Sequence, residues 1–265
     1  MTSSRKPLPS DYSGGRKVER FEIDWSDPRF STKEPSFAEL YEALHHEDCA
    51  ICWLADRTVR RYLHTYCEEN VTDVGARKKL REANGYCNRH AHQLLEEMDT
   101  LAVAITYADI LLKLQKELSK ADPGYTRSIM PTALRRWKYQ RGGRDSPVFT
   151  VPRPCPACVE QDRSENRYVS ALTTYLDDPL LLDKYRSSNG LCLIHLRLAL
   201  GAALNAETVR VLAEVNLVAW EQIQVHLAEV VRKADHLASD ERLSEGERKA
   251  IYDVVDRIVG KREIR

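Results

Sequence analysis

The chain carries one four-ligand pattern twice. "CAIC" supplies Cys49 and Cys52, and "GYCNRH" supplies Cys87 and His90; "CPAC" then supplies Cys155 and Cys158, and "GLCLIH" supplies Cys192 and His195. Sliding the sequence on itself extends the match. At a shift of 106, Cys49, Cys52, Asp56, Arg57, Arg61 and Tyr62 fall on Cys155, Cys158, Asp162, Arg163, Arg167 and Tyr168. At a shift of 105, Asp73, Arg81, Asn84, Gly85, Cys87 and His90 fall on Asp178, Arg186, Asn189, Gly190, Cys192 and His195. Twelve identities in one order, including every sulfur and imidazole of the pattern, mark a tandem duplication.

C-x-x-C and C-x-x-H each set two donors on adjacent turns or across a tight turn, and two such pairs close a tetrahedron. Cys49, Cys52, Cys87 and His90 offer three thiolates and an imidazole, as do Cys155, Cys158, Cys192 and His195. Zinc takes such sets in closed structural sites with no position left for water. The expectation is two zinc ions, one per module, because pairing within a module closes the shorter loop. Crossed pairing would instead join the C-x-x-C of one module to the C-x-x-H of the other. The same residues can hold an iron–sulfur cluster with one histidine ligand, or exchange thiols, although thiol exchange expects a preceding strand that the sequence lacks. Asp56 and Asp162 lie four residues after the second cysteine and are candidates to accept the ligand histidine's free N–H. Arg57, Arg61, Arg163 and Arg167 read as solvated or bridged to carboxylates. His45, His46, His64, His92 and Cys67 have no counterparts in the repeat and read as surface or packing residues.

The periodicity is helical. Ile51, Ala55, Val59, Tyr62 and Tyr66 form one face. Asp73 caps a short second helix, as Asp178 does before Pro179, and Asn84-Gly85 and Asn189-Gly190 end those helices. A long third helix is expected from about Cys87, its seam formed by Leu94, Met98, Leu101, Ile105, Ala108 and Leu112. Val209, Leu212, Trp220, Ile223, Leu227 and Val230 form the corresponding stripe in the second module, interrupted by Asn216, and Gly201 is a bend point. Ser36 with Glu39 predicts an opening helix, and Ser244 with Glu247 a closing one, each through a capping box. "RFEIDW" alternates and reads as an extended arm. The chain thus divides into a disordered tail and arm (1–35), a first module (36–121), a basic linker (122–154), a second module (155–240) and a C-terminal helix (241–265). The fold class is all-α.

Function classes narrow from composition. Lys plus Arg and Asp plus Glu are both 40, so the net charge is zero and nothing global favours nucleic acid or an anionic membrane. Within the linker, Arg135, Arg136, Lys138 and Arg141 surround Trp137 and Tyr139, a pattern that can bind single-stranded nucleic acid or simply keep a linker solvated. The most apolar stretch, Leu191 to Leu204, contains His195 and Arg197 and is too short to span a membrane. The N-terminus has no apolar signal region. The expected compartment is the cytoplasm, where cysteines serve as ligands or thiols.

The run "CAIC…DR…RRY…D…R…ANGYCNRHAHQLL" followed by "CPAC…DR…RY…DDP…YRSSNGLCLIH" resembles a prokaryotic family known as a domain of unknown function, whose members carry paired C-x-x-C and G-x-C-x-x-H modules. The resemblance covers about residues 40–230 and all eight cysteine and histidine positions. It implies the fold and the metal sites and brings no activity. No nucleophile–base pair, P-loop or dinucleotide fingerprint stands out. The expectation is therefore a zinc-stapled helical scaffold that binds a protein partner, or less readily nucleic acid; a redox or sensor protein using the same residues is the alternative.

Overall fold

A computed structural model describes residues 27–119, 153–234 and 241–261. Among them are ten α-helices and no strand: α1 (Pro35–Ala43), α2 (Ala50–Thr65), α3 (Val74–Ala83), α4 (Asn88–Glu96), α5 (Thr100–Ser119), α6 (Pro156–Tyr175), α7 (Pro179–Arg186), α8 (Leu193–Ala202), α9 (Ala206–Lys233) and α10 (Glu245–Val259). A π turn, Tyr66–Asn70, extends α2. The all-α expectation holds. The "RFEIDW" arm and the basic residues Arg135, Arg136, Lys138 and Arg141 lie outside the described residues.

Local signals set most helix ends. The Asp73 side chain accepts the Ala76 N–H, and Asn84 closes α3 in the left-handed region at φ 57°. Asp178 accepts the Leu180 N–H ahead of Pro179. Ser244 and Glu247 form the complete capping box of α10. The opening helix differs from expectation: Pro35 occupies its first turn and Glu34 is the N-cap, with no side-chain cap, so Ser36 lies inside α1. The expected long third helix is two. Met98 adopts φ 59°, and the Asp99 side chain accepts the Ala102 N–H to start α5. The break resets the buried face to Ala102, Thr106 and Ile110, and it leaves Met98, Leu101 and Leu112 at least half exposed. In the second module Asn205 caps α9 in the same way, through the Thr208 N–H, so the chain breaks after Ala202 and Gly201 remains helical.

The chain folds as two compact units that do not follow the sequence repeat. Among the described residues, one comprises 60–119 and 153–159, and the other 27–59, 160–234 and 241–261. The boundaries fall inside α2, after Val59, and inside α6, after Val159. In the first unit the Tyr86 ring packs edge-on against Tyr62 and Tyr66, at 6.4 and 5.8 Å between centroids. In the second, Phe37, Leu40, Ile51 and Leu54 from α1 and α2 share a core with Leu172, Leu181, Leu191 and Leu212.

Candidate metal centres

Four helix N-termini deliver the eight candidate ligands. Cys49 and Cys155 immediately precede α2 and α6, while Cys87 and Cys192 are the N-caps of α4 and α8. In each case the second ligand sits three residues on, within the first turn. The unpaired amides and the positive end of the helix dipole at such a position favour thiolate. Cys155 accepts backbone N–H groups from Cys87, Cys158 and Ala157, which act against the upward push of its burial.

The ligands assemble into two groups, and the pairing is crossed. Cys49 and Cys52 meet Cys192 and His195; Cys87 and His90 meet Cys155 and Cys158. Pairing within each module, the expectation from loop length, is overturned. The reason is rod length. Tyr86, one residue before Cys87, packs against Tyr62 and Tyr66 on the far part of α2. Ten residues of α2 separate Cys52 from Tyr62, about 15 Å of rise, and each group draws its four residues from a single compact unit. Against that, lengthening the closure from 35 residues (Cys52 to Cys87) to 140 (Cys52 to Cys192) is two doublings, about 1.2 kcal/mol.

Within each group the ligand atoms all lie inside 4.8 Å of one another. His195 Nδ1 lies 3.5 Å from Cys49 Sγ, 3.3 Å from Cys52 Sγ and 3.2 Å from Cys192 Sγ. The Cys52 and Cys192 sulfurs are 3.7 Å apart. In the other group, His90 Nδ1 is 3.3, 3.5 and 3.4 Å from Cys87, Cys155 and Cys158, with Cys87 and Cys158 3.7 Å apart. Zn–S bonds of 2.3 Å and Zn–N bonds of 2.0–2.1 Å in a tetrahedron imply S···S edges of about 3.8 Å and S···N edges of about 3.5 Å. The donor set and spacing therefore fit a single tetrahedral ion in each group.

The two groups differ in their surroundings. All four residues of the Cys49 group are buried, whereas Cys87 and Cys158 of the other are partly exposed. His195 directs Nε2 toward Glu165, 3.7 Å from Oε1, and that carboxylate accepts the Gln161 side-chain amide at 2.6 Å. Glu165 is itself buried. Glu165, and not Asp162, is the carboxylate that faces His195, although Nε2 makes no hydrogen bond to it; Asp162 is exposed on the outer face of α6. Asp56 lies half-buried on α2. His90 instead has the Arg89 guanidinium 3.0 Å from Nε2.

Clustering the ligands perturbs their protonation. Burial opposes charge at Cys49, but the Cys192 and Cys52 thiols and the His195 ring hold its pKa well below the usual thiol range. Cys52, facing the Cys192 and Cys49 sulfurs, is raised far above it. Burial disfavours the His195 cation, yet Cys192, Cys49 and Glu165 push its pKa up to about 11. In the other group burial raises Cys155, and burial followed by Cys155 and Cys87 pushes Cys158 up to about 12. Binding of a metal ion to thiols releases their protons, so the affinity of either cluster for an ion would rise with pH.

Asn216 and Arg257 are positioning residues that the sequence reading did not identify. Asn216, read as an interruption of the α9 stripe, is buried and fully bonded. Its Oδ1 accepts the Leu191 N–H, immediately before Cys192, and its Nδ2 donates to Tyr185 Oη and the Leu212 carbonyl. Gly190 passes so close that a Cβ there would lie 2.8 Å from Asn216 Oδ1. Among the residues outside the groups, His46 stacks on Trp53, His64 pairs with Glu97, and Cys67 is buried, its thiol pushed up to about 12 chiefly by burial.

Residues 38–261 match the sequence profile of a family of unknown function, DUF6062. An uncharacterized 23.9 kDa protein encoded in the xynA 3′ region of Caldicellulosiruptor sp. (strain Rt8B.4) is 24% identical over 198 residues, covering 74% of this chain and 87% of that protein. No solved structure matches. No helix among the described residues is long and apolar enough to cross a membrane.

Proposed function

We propose, from the premise that the chain belongs to the family of unknown function DUF6062, that it is a helical scaffold stapled by two zinc ions that engages a protein partner in the cytoplasm. The observation that carries this reading is the closed four-donor geometry of each group. Three sulfurs and an imidazole nitrogen within 4.8 Å fill a tetrahedral ion and leave no open position for substrate or water. The spacing supports one ion per group; a multi-iron cluster would spread its ligands over several metal atoms. Structural zinc of this kind contributes an apparent 10–16 kcal/mol in zinc-finger peptides, on the order of a domain's net stability. A surface for the partner is offered by α10, where Ile251, Tyr252, Val255, Ile258 and Val259 stand 40–74% exposed on adjoining turns.

Metal content by plasma mass spectrometry, with a visible spectrum, tests the reading on protein purified anaerobically without added metal. Two zinc ions per chain and no visible absorbance are expected. Iron with acid-labile sulfide would establish the redox alternative, and a metal-free protein would end both.

A further inference from the structure

The C-terminal helix closes over one centre, and among the described residues it has no counterpart at the other. Arg257 of α10 is buried. Its Nη1 donates to the Gly190 carbonyl at 3.1 Å and its Nη2 to the Glu47 carbonyl at 2.7 Å. Gly190 lies two residues before Cys192, and Glu47 two residues before Cys49. One guanidinium thus ties together the two distant segments that carry the ligand pairs of this group. Lys261 adds a contact to Asp48 at 2.8 Å and Lys249 one to Glu47 at 2.7 Å. The helix ends on Gly260 at φ 82°, and a Cβ there would lie 3.8 Å from both the Cys52 and Cys192 sulfurs. The backbone therefore lies directly against the thiols. A cleft of ≈ 40 Å³ reaches Cys49 and Cys52, rimmed by Asp253, Asp256 and Lys261. That space admits a water or two and not a chelating molecule.

The Cys87 group is tied more lightly. The Arg153 N–H, two residues before Cys155, donates to the Glu82 carbonyl at 3.0 Å. The Arg153 side chain is 75% exposed where it meets Glu82, and Cys87 and Cys158 are partly exposed.

We propose that the two centres differ in lability: Cys87, His90, Cys155 and Cys158 form the exchangeable centre, and Arg257 is the positioning residue that locks the ion held by Cys49, Cys52, Cys192 and His195. This rests on the reading that both groups hold a metal ion. Release from the locked centre requires α10 to lift and break two charge-assisted hydrogen bonds, one buried and one partly buried. Release from the other requires local movement of a partly exposed thiolate.

Full-length zinc-loaded protein mixed with excess 4-(2-pyridylazo)resorcinol tests this. Two phases of one ion each are expected, the slow one at least about tenfold slower. Arg257→Gln should accelerate the slow phase by about tenfold or more and leave the fast phase unchanged, the scale of other supporting contacts around metal ligands. Arg257→Lys, able to reach only one carbonyl, should fall between. Cys87→Ser should abolish the fast phase alone. A single phase for both ions, loss of the slow phase in Cys87→Ser, or an unchanged slow phase in Arg257→Gln overturns the proposal. Wild-type protein without two bound ions overturns the metal reading instead. Alkylation by N-ethylmaleimide during chelation, located by mass spectrometry, needs no variant: Cys87 and Cys158 should react before Cys49 and Cys52, and the reverse order overturns the proposal.

Discussion

Glu165 and Asn216 are buried polar side chains, and each has a role only because of the centre beside it. Glu165 faces the ligand histidine's second nitrogen across 3.7 Å. At that distance the carboxylate acts on the ring through its charge, which favours the proton on Nε2 and leaves Nδ1 for the metal. Glu165→Gln is expected to weaken metal binding at the Cys49 centre about tenfold or more, read by chelator competition, while the Cys87 centre keeps its affinity. Asn216→Leu would leave the Leu191 N–H without its acceptor in the core. A loss of roughly 1–3 kcal/mol is expected in urea unfolding. Neither role could be read from the chain. Val59, at the matching position of the first module, is apolar where Glu165 is charged, and an asparagine in an apolar stripe looks the same whether it is bonded or merely tolerated.

The elements were largely legible because their causes are local. A cap or a left-handed turn involves residues three or four apart, and the capping box of α10 forms as its sequence predicts. Ser244→Ala should lower stability by about 1 kcal/mol, measured by denaturant melting of the zinc-loaded protein. The break between α4 and α5 is hidden in the sequence because an apolar seam of correct period runs through it, and the Asp99 cap outweighs that seam. Charge also works at this scale. Asp109 on α5 pairs with Arg81 at 2.6 Å and Arg77 at 3.0 Å on α3. Partial burial acts to raise its pKa, but the two guanidiniums hold it below the ordinary carboxylate value. Its contribution is therefore present above about pH 4, the unfolded value, and is lost as pH falls through the lower folded value. Asp109→Asn should flatten the acid limb of the melting temperature below about pH 4, as followed by circular dichroism.

Crossed pairing makes the two halves of the chain interdependent across the whole molecule. Neither centre contains both of its ligand pairs from one module. Residues 36–121 and 155–240, produced separately, should each fail to retain a zinc ion through dialysis, and mixing them should restore both. Retention of one ion by either half alone would contradict the crossed arrangement. The duplication, the all-helical fold and the eight cysteine and histidine positions of the two groups all lie open in the one-dimensional pattern, because repeats, periodicity and donor spacing are properties of near neighbours in the chain. Which pairs meet is a property of distance in space. Helix α2 spans 16 residues, about 24 Å, and a stiff rod carries Cys49 and the docking site of Tyr86 to opposite ends, whatever the loop between them would favour. The loop preference is worth only about 1 kcal/mol because closure entropy grows with the logarithm of length, whereas a rigid helix cannot bend to honour it.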